Sequence, residues 1–151
     1  VAPLILGKVG PCLSLKGGRG MIVLGVDPGG TTGWAALKAD TIVAKGEIDG
    51  WDGLLEVIKN QKPNVIVFEE FRLYPWKAKH KSWSSFIEVE VIGVLKFLAK
   101  HFGIKAVGQG AQHKKFFNDR RLKQMGLYSS SPHIRDAIRH ALYYMEFGRN
   151  A

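Results

Sequence analysis

A chain of 151 residues and 16.7 kDa is long enough to bury one hydrophobic core, and 46% apolar with 23% charged residues excludes a disordered composition. Cys12 is the single cysteine, which excludes an intramolecular disulfide or a thiol metal cluster and suits a reducing cytoplasm; no apolar run is long enough to span a bilayer. The formal charge of +9, with an isoelectric point near 9.8, points to a polyanionic partner, nucleic acid before an anionic membrane surface.

Residues 1–20 differ from the rest. They carry Lys8, Lys16 and Arg19 with no acid, and Pro3, Gly7, Gly10 and Pro11 break any signal-peptide pattern. This segment reads as an N-terminal extension, disordered or left from expression, ahead of one domain at residues 21–151. Without its three cations the +9 falls only to +6, so the basic character belongs to the domain. The first strand is expected at about residues 21–26, ending in Asp27. Pro28, Gly29 and Gly30 then turn the chain into a second strand at about 33–38. A third strand at 41–48 completes an antiparallel meander. Leu54, Leu55 and Ile58 recur at helical spacing within 51–59, and the apolar run 64–69 reads as a strand buried on both faces.

A basic, aromatic loop follows, from Phe71 to Trp83. Ser84 or Ser85 is expected to cap a long helix reaching about His101, with Phe86, Val89, Ile92, Leu95, Phe97 and Leu98 as its apolar surface and Gly93 permitting close packing. A short fifth strand at 104–107 precedes a polar, basic stretch, 109–124, whose structure the pattern does not specify. Ser131 and Pro132 open a last helix, running to about Phe147, as N-cap and first helical residue. The order β-β-β-α-β-α-β-α predicts an α/β domain with a mixed sheet.

An acid at the end of a core strand is costly to leave unpaired, so Asp27 marks a metal, base or phosphate site; the plain alternative is an Asp that caps its own turn. Glu69 closes the buried fourth strand in the same way. Glu69 and Glu70 point to opposite faces, so only one can share a site with Asp27, and Glu69 follows the strand directly. His133 and Asp136 lie three apart on one face of the last helix. Each has a structural alternative: a solvated acid, a locally bonded histidine, a first-turn acid favoured by the helix dipole. Together, oxygen and nitrogen ligands from separate elements are what two divalent cations need for phosphodiester cleavage. The five histidines show no zinc spacing such as His-Glu-x-x-His, so zinc is not expected.

These residues carry a resemblance. Val-Leu-Gly-Val-Asp27-Pro-Gly, Val-Ile-Val-Phe-Glu69 and Ser131-Pro-His133-Ile-Arg-Asp136-Ala-Ile-Arg-His-Ala-Leu142 resemble, in order and spacing, the first strand, fourth strand and final helix of RuvC-type Holliday junction resolvases, in the ribonuclease H-like superfamily. The Phe-Arg-Leu-Tyr-Pro-Trp loop is similar to that of compact phage or prophage members. The resemblance implies a ribonuclease H-like fold, with a five-stranded mixed sheet flanked by helices. It also implies a cytoplasmic, homodimeric DNA endonuclease, in the host cytoplasm if phage-encoded, that uses two Mg²⁺ ions (Mn²⁺ as substitute) and leaves 5′-phosphate ends. Asp27, Glu69, His133 and Asp136 would be its metal ligands and catalytic residues. Arg72, Lys77, Lys79, Lys81, Lys114 and Lys115 would neutralise phosphates of branched DNA, with Lys114 matching the family's DNA-contacting lysine. Tyr74, Trp76 and Trp83 would stack on unpaired bases, or else pack against the long helix. The region between the fifth strand and last helix is shorter than in bacterial members.

Two other readings compete. Asp27-Pro-Gly-Gly-Thr31 is also the phosphate-loop pattern of actin-like kinases, but those need two such domains and this chain is about half too short. The other is an RNA-processing or non-catalytic binding protein of the same fold.

Overall fold

In the computed structural model, residues 20–71 and 83–148 are described. The chain forms β1 (Ile22–Asp27), β2 (Thr31–Lys38), β3 (Thr41–Asp49), α1 (Leu54–Gln61), β4 (Val65–Glu69), α2 (Trp83–Phe102), β5 (Lys105–Gln109), α3 (His113–Phe116), α4 (Asp119–Met125) and α5 (Pro132–Phe147). The sheet order is β3-β2-β1-β4-β5. Strands β1, β2 and β3 form the expected antiparallel meander, while β4 joins β1 in parallel and β5 joins β4 in parallel.

Period-two alternation sorts each strand between two cores. Val23, Ala35, Leu37, Val65 and Val67 face α5, together with Phe117, Leu122 and Leu127 from the α3–α4 region. Leu24, Val26, Ala36, Ile66 and Phe68 face α1 and α2, packing on Leu54, Ile58, Val91 and Leu95. Each such buried side chain contributes about 1.5–3 kcal/mol of apolar transfer energy. The result is an α/β/α sandwich with the sheet covered on both faces, and it explains the uninterrupted apolar run of β4.

Two glycines set how closely α5 lies on the sheet. A Cβ on Gly25 would fall 1.9 Å from the Ala137 carbonyl oxygen, and one on Gly33 would fall 2.3 Å from the backbone of His133. Both positions must stay bare for the start of α5 to touch β1 and β2. Ser131 caps α5 as expected, accepting a hydrogen bond from the Ile134 amide, with Pro132 next.

Two expectations are corrected, and one stretch left open by the sequence is resolved. Helix α2 begins at Trp83, so Ser84 and Ser85 lie inside it rather than ahead of it. Gly93 supports no close packing among the described residues, since no atom lies within 4 Å of a Cβ built there. The stretch 109–124 contains two short helices, the second capped by the Asn118 side chain on the Arg121 amide and ended by Gly126 in left-handed backbone. The proposed contacts Arg72, Tyr74, Trp76, Lys77, Lys79 and Lys81 lie outside the described residues, as do residues 1–19 and the side chain of Trp83.

Candidate metal and nucleic-acid site

The parity that puts Val23 and Gly25 under α5 puts Asp27 there too, at the carboxyl end of β1. On β4 the same rule carries Val65, Val67 and Glu69 to that face, and on β5 it carries Lys105, Val107 and Gln109. Three polar side chains therefore emerge at the carboxyl ends of three parallel neighbours, beneath the first turns of α5. Ligands bind at this end of open α/β sheets.

Asp27 Oδ2 lies 3.2 Å from His133 Nδ1. Burial pushes the Asp27 carboxyl up to about 6; the His133 hydrogen bond opposes this, while the negative charges of Asp136 and Glu69 reinforce it. Both acids thus lie near enough to Asp27 to disfavour its charge. The turn after Asp27 is held by Thr32, whose hydroxyl receives the Gly29 amide at 3.3 Å and donates to the Gly29 carbonyl at 3.1 Å. Gly29 and Gly30 are turn residues, though neither uses left-handed backbone.

Asp136 sits between two cations. Arg139 Nη1 reaches its Oδ1 at 2.7 Å and Lys114 Nζ reaches its Oδ2 at 3.2 Å. Burial, which would raise Asp136, is outweighed by these two partners, so its carboxyl stays below the usual range. The ammonium of Lys114 is correspondingly raised: its burial is outweighed by the attraction of Asp136. Arg139 is itself buried, donating from Nε to the Phe117 carbonyl at 2.7 Å and from Nη2 to Asp119.

Glu69 faces His140, whose Nε2 lies 3.6 Å from Oε2; the interaction with this imidazole, acting against burial, holds Glu69 below the usual carboxylate range. The neighbouring Glu70 instead runs alongside Gly108 of β5. Behind Glu69, His113 and His140 are both fully buried, with ring centroids 3.6 Å apart. Burial, and then the nearby His140, lower the His113 imidazole to about 4, so it is neutral at physiological pH. One ligand atom from each of Glu69, His113 and His140 lies within 4.8 Å of the others.

The architecture matches solved structures closely. A Thermus thermophilus RuvC in complex with a Holliday junction substrate aligns with a TM-score of 0.70 at 17% identity, covering 87% of this chain and 96% of that one. A second Thermus thermophilus RuvC structure aligns at 0.64 with 18% identity, covering 85% and 97%. The chain has the RuvC-type, ribonuclease H-like fold. Neither a protein-family model nor a curated protein matches the sequence.

Within this RuvC fold, the four expected ligands fall on β1, β4 and α5, with His133 on Asp27 and Asp136 near enough to raise it. Of the two lysines expected from 112–115, Lys114 pairs with Asp136, whereas Lys115 borders a surface groove with Phe116, Tyr143 and Phe147. Sequence reasoning missed Arg139, Gln109, His113 and His140. Arg139 had a usable signal, three residues after Asp136 on one helix face. The histidine pair had none, because His113 and His140 belong to different helices.

Proposed function

We propose that the chain is a divalent-metal-dependent endodeoxyribonuclease that cuts branched DNA, four-way junctions foremost. One observation carries this reading: three carboxylates from separate elements converge at the carboxyl end of the sheet, so close that Asp136 and Glu69 both disfavour charge on Asp27. That donor set is rich in hard oxygen with one imidazole, which fits Mg²⁺, with Mn²⁺ as substitute. Bound there, two such ions supply Lewis-acid polarisation of the scissile phosphate and a water acidic enough to attack it.

Asp27 would be shared by both ions, Glu69 would serve one, and His133 with Asp136 the other. His133 holds Asp27 in place through Nδ1. Lys114 neutralises Asp136 and, half exposed, is positioned to pass to a backbone phosphate when an ion takes over that carboxylate. Hydrolysis in this manner leaves 5′-phosphate ends. The branched-DNA substrate is supported by the fold shared with a RuvC solved on a Holliday junction, and by the +9 charge.

A homodimer is part of the proposal. Phe86, Val89, Gly93 and Phe97 form one stripe along α2, and Phe86 and Phe97 are 62% and 68% exposed. Pairing of two such stripes would set two sites about a two-fold axis. A phage origin, with action in the host cytoplasm, is the narrower form of this reading. No helix among the described residues is long and apolar enough to cross a membrane.

The test is a cleavage panel of four-way junction, linear duplex, single strand and RNA hairpin, each with Mg²⁺, Mn²⁺ or EDTA. The junction is expected to be cut with either metal and not with EDTA. Asp27→Asn and Asp136→Asn are expected to lower the rate by more than ~100-fold, beyond the roughly 10–100-fold typical of outer-shell changes. Full Mg²⁺-dependent cleavage by Asp27→Asn overturns the site; preference for the RNA hairpin moves the protein to the RNA-processing reading.

A further inference from the structure

His113 and His140 serve no step of the reaction proposed above, yet they are an expensive pair to bury. Both imidazoles are fully inaccessible, they stack at 3.6 Å, and the Nε2 atom of each has no hydrogen-bond partner among the described residues. Two unpartnered polar atoms in a core are costly unless something fills the gap.

The remaining ring nitrogens indicate what fits. His113 Nδ1 lies 3.2 Å from the Gly110 carbonyl, which can only accept, so the proton resides on Nδ1 and Nε2 presents a lone pair. His140 Nδ1 lies 3.0 Å from the side-chain amide of Gln109, and its tautomer follows that amide. With the amide nitrogen turned to Nδ1 and its oxygen to the Tyr144 amide, the arrangement that satisfies both, the His140 proton sits on Nε2 and faces Glu69. With the amide oxygen turned to Nδ1, the proton moves there and the Nε2 lone pair is left facing Glu69. Histidine ligands are oriented in this way, with the outer nitrogen donating to a carbonyl and the inner one left for a metal.

We propose that His113, His140 and Glu69 form a second cation site, behind the carboxylate site, selective for a late first-row divalent ion of the Zn²⁺ class. Two neutral imidazoles and one carboxylate suit Zn²⁺ or Co²⁺ and suit Mg²⁺ poorly. The ion takes the place of the proton between His140 and Glu69, Gln109 rotates to hold the new tautomer, and a water completes the coordination. Because the ligands come from β4, α3 and α5, the ion fastens the short α3 to the sheet. No spacing rule flagged the site, since its two histidines are 27 positions apart. The inference concerns binding alone and stands whether or not the protein is a nuclease.

Co²⁺ titration of the metal-stripped full chain, read by its visible absorption without DNA, tests the site. One equivalent of tetrahedral-type Co²⁺ is expected, displaced by Zn²⁺ but not by excess Mg²⁺, together with a rise in melting temperature on adding Zn²⁺. His113→Gln and His140→Gln should each weaken binding by more than ~100-fold, whereas Asp27→Asn and His133→Ala should retain it. No Co²⁺ band in the wild type, or a band that survives both glutamine variants, overturns the proposal. So does a band that disappears with His133→Ala while persisting in His140→Gln, which would assign the ion to the outer carboxylates. Should a glutamine variant fail to fold, nitrogen-15 spectra of the wild-type imidazoles decide the matter: Zn²⁺ must shift Nε2 of His113 and His140, and unshifted signals reject the site.

Discussion

Burial and two neighbouring acids push Asp27 toward its protonated form against its hydrogen bond with His133, and this has a pH signature. Its folded pKa of about 6 lies above the unfolded value near 3.8. Folding therefore favours the protonated form. In the metal-free protein the Asp27 contribution is fully present below about pH 4 and is lost as pH rises through about 6, by about 3 kcal/mol. Chemical denaturation of apo protein between pH 4 and 7 should show this decline, abolished in Asp27→Asn. Metal binding runs the other way, because a cation must displace that proton: Mg²⁺ affinity measured by calorimetry should fall as pH drops below 6. Arg139 makes a second residue-scale prediction. It joins the Phe117 carbonyl, Asp119 and Asp136 with one planar fork, so Arg139→Lys cannot reproduce the contacts. Arg139→Met should cost about 3 kcal/mol in urea unfolding, by leaving Asp136 short of a counter-charge.

Among the elements, α5 is the one on which the site depends. Gly25 and Gly33 let its first turns meet the sheet backbone directly, so Gly25→Ala should destabilise the fold by about 3 kcal/mol or more, with no side-chain rearrangement able to relieve a clash with a carbonyl. Loss of the Ser131 cap should cost only about 1 kcal/mol. Thermal melts of Gly25→Ala and Ser131→Ala should rank in that order. The elements were readable to different depths. Strand β4 and helix α5 announced themselves through a continuous apolar run and a Ser-Pro start, and both hold. The long helix was found, but its start was misplaced at serines that lie inside it. The basic stretch 109–124 had too few apolar residues to display a period, although Phe117 and Leu122 anchor it in the core. The candidate ligand acids were legible because Asp27 and Glu69 each end a recognisable strand and Asp136 follows a Ser-Pro helix start. Of their partners, Arg139 had its signal on the same helix face as Asp136, whereas the pairings of Lys114 with Asp136 and of His140 with Glu69 run across elements and are set by tertiary register alone.

At the scale of the whole molecule, charge and shape set what can be measured. If the basic surface neutralises six or more phosphates, junction affinity should drop by roughly 10³ or more between 50 and 200 mM salt, in gel-shift or anisotropy titrations. The α2 stripe makes the matching prediction for assembly: Phe97→Glu should convert a dimer in sedimentation velocity to a monomer without lowering the melting temperature, because its ring is 68% exposed in the monomer. An unchanged sedimentation coefficient would place the two-fold elsewhere or nowhere.

The contact between Asp27 and His133 joins residues 106 positions apart. At ribosomal speeds of roughly 5–20 residues per second, about 5–20 s separate the emergence of these two side chains. During that interval the sheet lacks the helix that covers Val23, Ala35 and Leu37, and the acids of β1 and β4 have no partner on α5. A nascent chain is therefore both sticky and chemically silent. On the proposed function, the cleavage constellation would come into being in one step, when α5 docks, so that a partly made or truncated product would carry no cleavage hazard for the cell that makes it.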